Sequence, residues 1–200
     1  MNEDGYILTS AHVVDEARDC LAGATPDRIL AKPVTTEPSA AGAVSCDVVS
    51  VDGLHDLALL KAQRPLFLNS SQISATTVNA ELKRTFLLLD PGVIDDATKV
   101  SVTGHPEFAW HSETQQGRVV SHGSMALSDA SSEKSDVLSV NIPLLKGSSG
   151  SPVYRVSDGS VVGIVERKDL QHPGRTVAVP IRYAIEMLDR AGVKWHAPIK

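Results

Sequence analysis

The sequence predicts an all-β protein closed by one helix, and three observations point there. Its apolar stretches are short and rich in β-branched residues, clusters of Gly, Pro, Asp and Ser separate them, and helical spacing is clear only near the C-terminus. Many short strands with turn signals between them are the pattern of a sandwich or barrel. The candidate strands are Tyr6-Ile7-Leu8-Thr9 and residues 44–51, 57–60, 100–102, 118–120, 137–142, 161–165 and 176–179. Residues 152–156 and 161–165 form a hairpin across Ser157-Asp158-Gly159-Ser160, since Asp-Gly suits the positive φ of a tight turn. Pro180 opens the helix, Ile181, Ala184, Ile185 and Leu188 recur at helical spacing, and Gly192 ends it. Residues 33–42 read as an exposed loop and 65–98 as a linker carrying a strand or two.

Composition narrows the function. The 200 residues are 42% hydrophobic and 22% charged, which is ordinary globular usage, and 19 Lys plus Arg against 24 Asp plus Glu leave a net charge of −5. A mildly acidic chain lacks the basic face that a nucleic-acid binder needs, so no nucleic-acid partner is expected. The longest apolar runs, such as Phe86-Leu87-Leu88-Leu89, fall far short of the roughly 20 residues of a membrane span. Met1-Asn2-Glu3-Asp4-Gly5 resembles no secretory signal, so a cytoplasmic location is expected if Met1 is the true start. Cys20 and Cys46 form no CxxC spacing; two buried thiols are expected, with a single disulfide the alternative.

One segment carries chemistry. Gly147-Ser148-Ser149-Gly150-Ser151-Pro152 fits G-x-S-G-x-P. A hydroxyl is a weak nucleophile and needs a tight turn beside a base. Flanking glycines let main-chain N–H groups, here those of Gly147 and Ser149, point at a developing oxyanion. A Gly/Ser-rich hairpin loop would look the same in isolation. Two further segments supply partners: Tyr6 to Val14 is a strand running into His12, and His55-Asp56-Leu57-Ala58 puts a carboxylate at the head of an apolar strand. A buried carboxylate needs a partner, because an unpaired charge there is costly.

Taken in order, His12, Asp56 and Ser149 resemble the trypsin/chymotrypsin-like serine protease superfamily. The segments are most similar to its bacterial branch, the Htr/Deg-type proteases and glutamyl endopeptidases, with their L-T-x-x-H-V-V-like, D-L-A-like and G-N-S-G-[GS] motifs. Thr103-Gly104-His105-Pro106 and Gln116-Gly117-Arg118-Val119-Val120 are similar to that branch's G-x-P turn and G-x-V strand. The resemblance covers about residues 5–64 and 99–190. It implies two antiparallel β-barrels of chymotrypsin-like type: residues 1–64 with His12 and Asp56, a linker over 65–98, and residues 99–200 with Ser149 and the closing helix. It further implies a serine endopeptidase working through an acyl-enzyme on a polypeptide substrate, without cofactor or metal. Ser149 corresponds to the nucleophile, His12 to the base, Asp56 to the orienting carboxylate, and the N–H groups of Gly147 and Ser149 to the oxyanion hole. Register within each motif rejects Ser148, His55 and Asp52.

Departures from the family pattern set further expectations. The His-bearing strand starts near residue 5, so the first barrel lacks its N-terminal strands. Either the chain is truncated or a partner chain completes that barrel. A non-catalytic, protease-like binding module is the alternative to an enzyme. The substrate-binding positions are Pro143, Ile164, Val165 and Glu166. Pro143 offers no charge to a substrate Lys or Arg, so a small or medium aliphatic residue is expected before the scissile bond. His105, His111 and His122 fall in one region at no recognised metal-ligand spacing.

Overall fold

The computed structural model describes residues 4–20 (main chain only at 17–20), 29–31, 43–63, 87–105, 112–127, 132–144 and 146–198. Two antiparallel sheets follow one another along the chain. The first contains β1 (Tyr6–Ser10), β2 (Ile29–Ala31), β3 (Val44–Asp52) and β4 (Leu57–Ala62) in the order β1-β4-β3-β2, and α1 (Ala11–Cys20) follows β1. The second contains β5 (Lys99–Gly104), β6 (Glu113–Met125), β7 (Ser135–Val140), β8 (Pro152–Arg155), β9 (Val161–Lys168) and β10 (Thr176–Pro180), closed as a barrel in the order β10-β7-β6-β5-β8-β9. The chain ends on α2 (Ile181–Arg190). One half-barrel and one closed barrel make a chymotrypsin-like pair of β-barrels, with the first incomplete among the described residues.

Apolar alternation sets how the sheets pack. On β4, Ala58, Leu60 and Ala62 face Val14, Val44 and Cys46 inside the half-barrel, while Leu57 and Leu59 face the opposite way. There they meet Val177 and Val179 of β10 and Ile181, Ile185 and Met187 around α2. A strand with both faces buried reads as a continuous apolar run, and the run Leu57-Ala58-Leu59-Leu60 is one. Val100, Val102, Val119, Val140, Val153, Val162 and Val165 fill the closed barrel. Helix α2 ends where expected: Gly192, at φ +66°, donates its N–H to the Asp189 carbonyl, and Val193 donates to Leu188. That is a Schellman stop, which needs a left-handed residue after the last helical turn.

The structure departs from the sequence reading in two places. The strand at Tyr6 ends at Ser10, and residues 11–20 are helical rather than extended, so His12 stands in the first turn of a helix. Val13 and Val14 favour a strand by propensity, but the first N–H groups of α1 find acceptors on Asp56 and Val14 is fully buried under the sheet. Strand β2 is the second addition, three residues too short to show a period. Within the stretch read as a linker, Leu88 and Leu89 bridge His196 and Val161. The loop read at 33–42 and most of that linker lie outside the described residues. Cys46 is a free, buried thiol, and the side chain of Cys20 lies outside the described residues. Among the described residues, no helix is long and apolar enough to cross a membrane.

Met187 is fully buried where α2 covers the barrel and β4. Its truncation to Ala should cost about 2–5 kcal/mol, as for other buried large-to-small changes. Urea unfolding followed by circular dichroism measures that loss.

Candidate active site

Asp56 occupies the turn between β3 and β4, with its main chain in the left-handed region at φ +51°. Asp tolerates that region better than most residues. The turn aims three acceptors at the start of α1. The Asp56 carbonyl takes the Ala11 N–H at 3.0 Å, Oδ1 takes the His12 N–H at 2.9 Å, and Oδ2 lies 2.6 Å from His12 Nδ1. A carboxylate suits a helix N-terminus, where N–H groups lack partners inside the helix and the dipole is positive. Asp56 is only 7% exposed, so its charge is screened less than that of a surface carboxylate.

Ser149 approaches from the second barrel. Gly150 has φ +81°, and a Cβ there would collide with the Thr9 side chain and crowd the Ser10 N–H, so only glycine lets this loop press against the end of β1. Main-chain bonds to β9 fix the loop: Gly150 N–H to the Val165 carbonyl at 2.8 Å and Val165 N–H to the Ser151 carbonyl at 2.9 Å. Buried Ser10, at the end of β1, donates to the same Val165 carbonyl at 3.0 Å. The Ser149 hydroxyl donates to the Glu166 carbonyl at 2.9 Å. The Glu166 side chain reaches the first barrel: one of its oxygens, an Asp56 oxygen and a His12 ring nitrogen all lie within 4.8 Å of one another.

The remaining sequence candidates are placed as follows. Pro143 is exposed and Gly147 sits at φ +91° in the turn before Ser149. The Ile164 side chain packs with α2 and that of Val165 points into the closed barrel. Ser148 is buried. Asp52 and His55 form a second pair, 2.8 Å apart, with His55 stacked on Tyr183 at 3.8 Å between ring centres. Asp52 Oδ1 also accepts the N–H groups of Leu54 and His55, both at 3.1 Å, so this pair clamps the β3–β4 turn. Burial opposes ionisation of Asp52, but the bonds from His55 and Leu54 hold its carboxyl below the ordinary value. A cavity of about 660 Å³ lies there against Met187 and Arg190, with neither His12 nor Ser149 in its lining. His122 lies 3.5 Å from Asp96, and His111 is outside the described residues. Among the described residues His12, Asp56 and Glu166 are the one cluster with metal-ligand chemistry, and its members are already bonded to each other or to Arg167.

Glu166 and Ser10 are what sequence reasoning underrated. Glu166 was read from the sequence as a substrate-binding position, not as a neighbour of His12, and Ser10 only as part of the strand running into His12.

The model of the trypsin-like peptidase domain matches residues 1–164. The chain belongs to the trypsin-like peptidases. Three solved structures share the fold of this peptidase domain at low identity. The Rv3671c protease from M. tuberculosis, in its active form, is 17% identical with TM-score 0.68, over 99% of this chain and 74% of that one. The MamO protease domain from Magnetospirillum magneticum is 19% identical with TM-score 0.64, over 94% and 85%. The HtrA-type protease AlgW, solved with a decapeptide, is 20% identical with TM-score 0.66, over 96% and 49%. No curated protein matches. At these identities the likenesses show a shared fold.

The His12–Asp56 bond holds the His12 imidazole above its ordinary pKa of 6.5, against the burial that opposes its charge. A group whose folded pKa is raised stabilises the fold fully below its unfolded pKa, and that contribution disappears as pH rises through the folded value. The stability difference between the native peptidase domain and a His12→Gln variant should therefore be largest below pH 6.5 and shrink as pH rises. Parallel urea titrations at a series of pH values measure it.

Proposed function

We propose that this peptidase domain is a serine endopeptidase in which Ser149 is the nucleophile, His12 the general base and acid, and Asp56 the carboxylate that orients His12. The observation that carries this reading is the 2.6 Å contact between Asp56 Oδ2 and His12 Nδ1. With Nδ1–H given to Asp56, the imidazole keeps Nε2 as the nitrogen able to accept a proton. In this reading the Ser149 hydroxyl leaves the Glu166 carbonyl and offers its proton to that nitrogen. Its oxygen then attacks the scissile carbonyl, and His12 delivers the proton to the leaving amine. Water, deprotonated in turn by His12, releases the acyl group. The N–H groups of Gly147 and Ser149 would receive the oxyanion, a contribution of about 10²–10³ in rate per donor in comparable sites.

A second reading, a non-catalytic protease-like module, is favoured by one observation: the Ser149 hydroxyl donates to the Glu166 carbonyl. Fluorophosphonate labelling separates the two, since only an assembled site activates Ser149. Labelling and peptide hydrolysis should both be lost in Ser149→Ala and His12→Ala. Asp56→Asn should lower kcat by about 10⁴, the loss known for the corresponding change in the trypsin template. Retained hydrolysis in Ser149→Ala would exclude the assignment.

For specificity, the reading keeps a small or medium aliphatic residue before the scissile bond. Uncharged Pro143, six residues before Ser149, supplies no carboxylate fork at the position where a trypsin-like enzyme pairs with Lys or Arg. A peptide-library cleavage profile should be dominated by aliphatic residues there, and one dominated by Lys or Arg would refute it.

A further inference from the structure

Glu166 is the group at this site that the mechanism above does not use. Its side chain is 5% exposed, yet it carries a carboxylate within 4.8 Å of both an Asp56 oxygen and a His12 ring nitrogen. Arg167 Nε binds Glu166 Oε2 at 2.5 Å, and its Nη2 is anchored on the Leu127 carbonyl at 2.7 Å, which fixes where that carboxylate stands. The charged groups around His12 are therefore Asp56 from the β3–β4 turn, Glu16 from α1, and Glu166 with Arg167 from β9. Three anions against one guanidinium leave a negative field on the imidazole. The Ser149 hydroxyl, meanwhile, has one proton to donate and gives it to the main-chain carbonyl of the same Glu166. An imidazolium has no lone pair with which to compete for that proton.

We propose that Glu166 is a positioning residue that, with Asp56, keeps His12 protonated in the resting site, so that the Ser149 hydroxyl stays parked on the Glu166 carbonyl until rising pH frees Nε2. On deprotonation the Nε2 proton leaves to water, Nδ1–H stays on Asp56, and Ser149 turns from the carbonyl to the vacated lone pair. The electrostatics agree in sign: Asp56, Glu166 and Glu16 all raise the His12 pKa, while burial holds the Glu166 carboxyl above its ordinary value against the pull of Arg167. The regulatory step rests on the serine peptidase reading; the hold of Glu166 on His12 does not.

The test separates them. In the full chain carrying Ser149→Ala, which cannot cleave itself, the His12 ring resonances are titrated by NMR with and without Glu166→Gln. The His12 midpoint should lie above 6.5 and fall by about one pH unit in Glu166→Gln. That is the low end for a charge removed from 4–6 Å, because Arg167 already offsets part of it. Should Glu166→Gln fail to fold, Glu166→Ala removes the same charge and reads the same quantity. In chains that keep Ser149, the rate of fluorophosphonate labelling should rise with pH along the same titration and move to lower pH with it. An unchanged or raised His12 midpoint on losing Glu166 overturns the proposal, as does a labelling profile that ignores the substitution. A lowered midpoint with no labelling at any pH would instead overturn the peptidase reading and leave the Glu166–His12 coupling standing.

Discussion

Asp56 is the residue on which the rest of the site depends, because it performs a structural and an electrostatic task with the same few atoms. Its left-handed main chain is a conformation that costs an L-residue roughly 1–2 kcal/mol, and it is adopted because it aims a carbonyl and two carboxylate oxygens at one helical turn. Two of those acceptors satisfy the first N–H groups of α1, and the third meets the ring of the residue that the turn presents. The helix start and the orientation of His12 are thus a single event. Had α1 begun one residue later, His12 would have left the turn that faces Asp56, and the imidazole would have lost both its anchor and its defined tautomer.

A second constraint joins that unit to Ser149. The carbonyl of Val165 accepts from Ser10, which is 155 residues away in sequence, and from Gly150 in the turn that carries Ser149. The next carbonyl, that of Glu166, accepts from Ser149 itself. Successive peptide groups of one strand therefore hold the end of β1 and the glycine turn together. Neither sheet contains the site. It exists where β9 of the closed barrel meets β1 of the half-barrel, and Gly150 is what permits the approach, since any side chain there would strike Thr9.

Much of this was legible in the sequence, for reasons that are physical. The β-branched runs and turn clusters announced strands because alternation and turn chemistry are local. The stop of α2 at Gly192 was legible because a Schellman stop needs a left-handed residue at a fixed place. The motifs that hold His12, Asp56 and Ser149 were legible because each is short and local, and the 2.6 Å His12–Asp56 contact brings two of them together. What escaped depended on contacts across the chain. Val13-Val14 spoke for a strand, and only the Asp56 turn, more than forty residues on, makes the segment a helix. Ser10 and Glu166 had no motif of their own, because their roles are defined by the Val165 carbonyl and by the His12 ring, which no local pattern reports. Ile164 and Val165 read as substrate contacts by position; their side chains lie in the two cores, and the Val165 main chain bonds to the turn that carries Ser149.

Glu166 poses a question that stability alone does not answer. A buried carboxylate paired to a half-exposed guanidinium, as in Glu166–Arg167, gains little net stability against its desolvation, and an apolar side chain of similar volume would serve the packing at least as well. The pair therefore is not what makes β9 fold. Its effect on charge is larger. Two unit charges about 4 Å apart interact by on the order of 4 kcal/mol at the effective dielectric typical of protein sites, and a Glu166 oxygen lies within 4.8 Å of a His12 ring nitrogen while Asp56 Oδ2 lies 2.6 Å from Nδ1. Both attractions favour the imidazolium, and their mutual repulsion grows if the imidazole is neutral, so each carboxylate makes the His12 proton harder to remove. In the proposed mechanism His12 must be neutral when it acts as the base, so there a carboxylate in this place sets the pH at which it can.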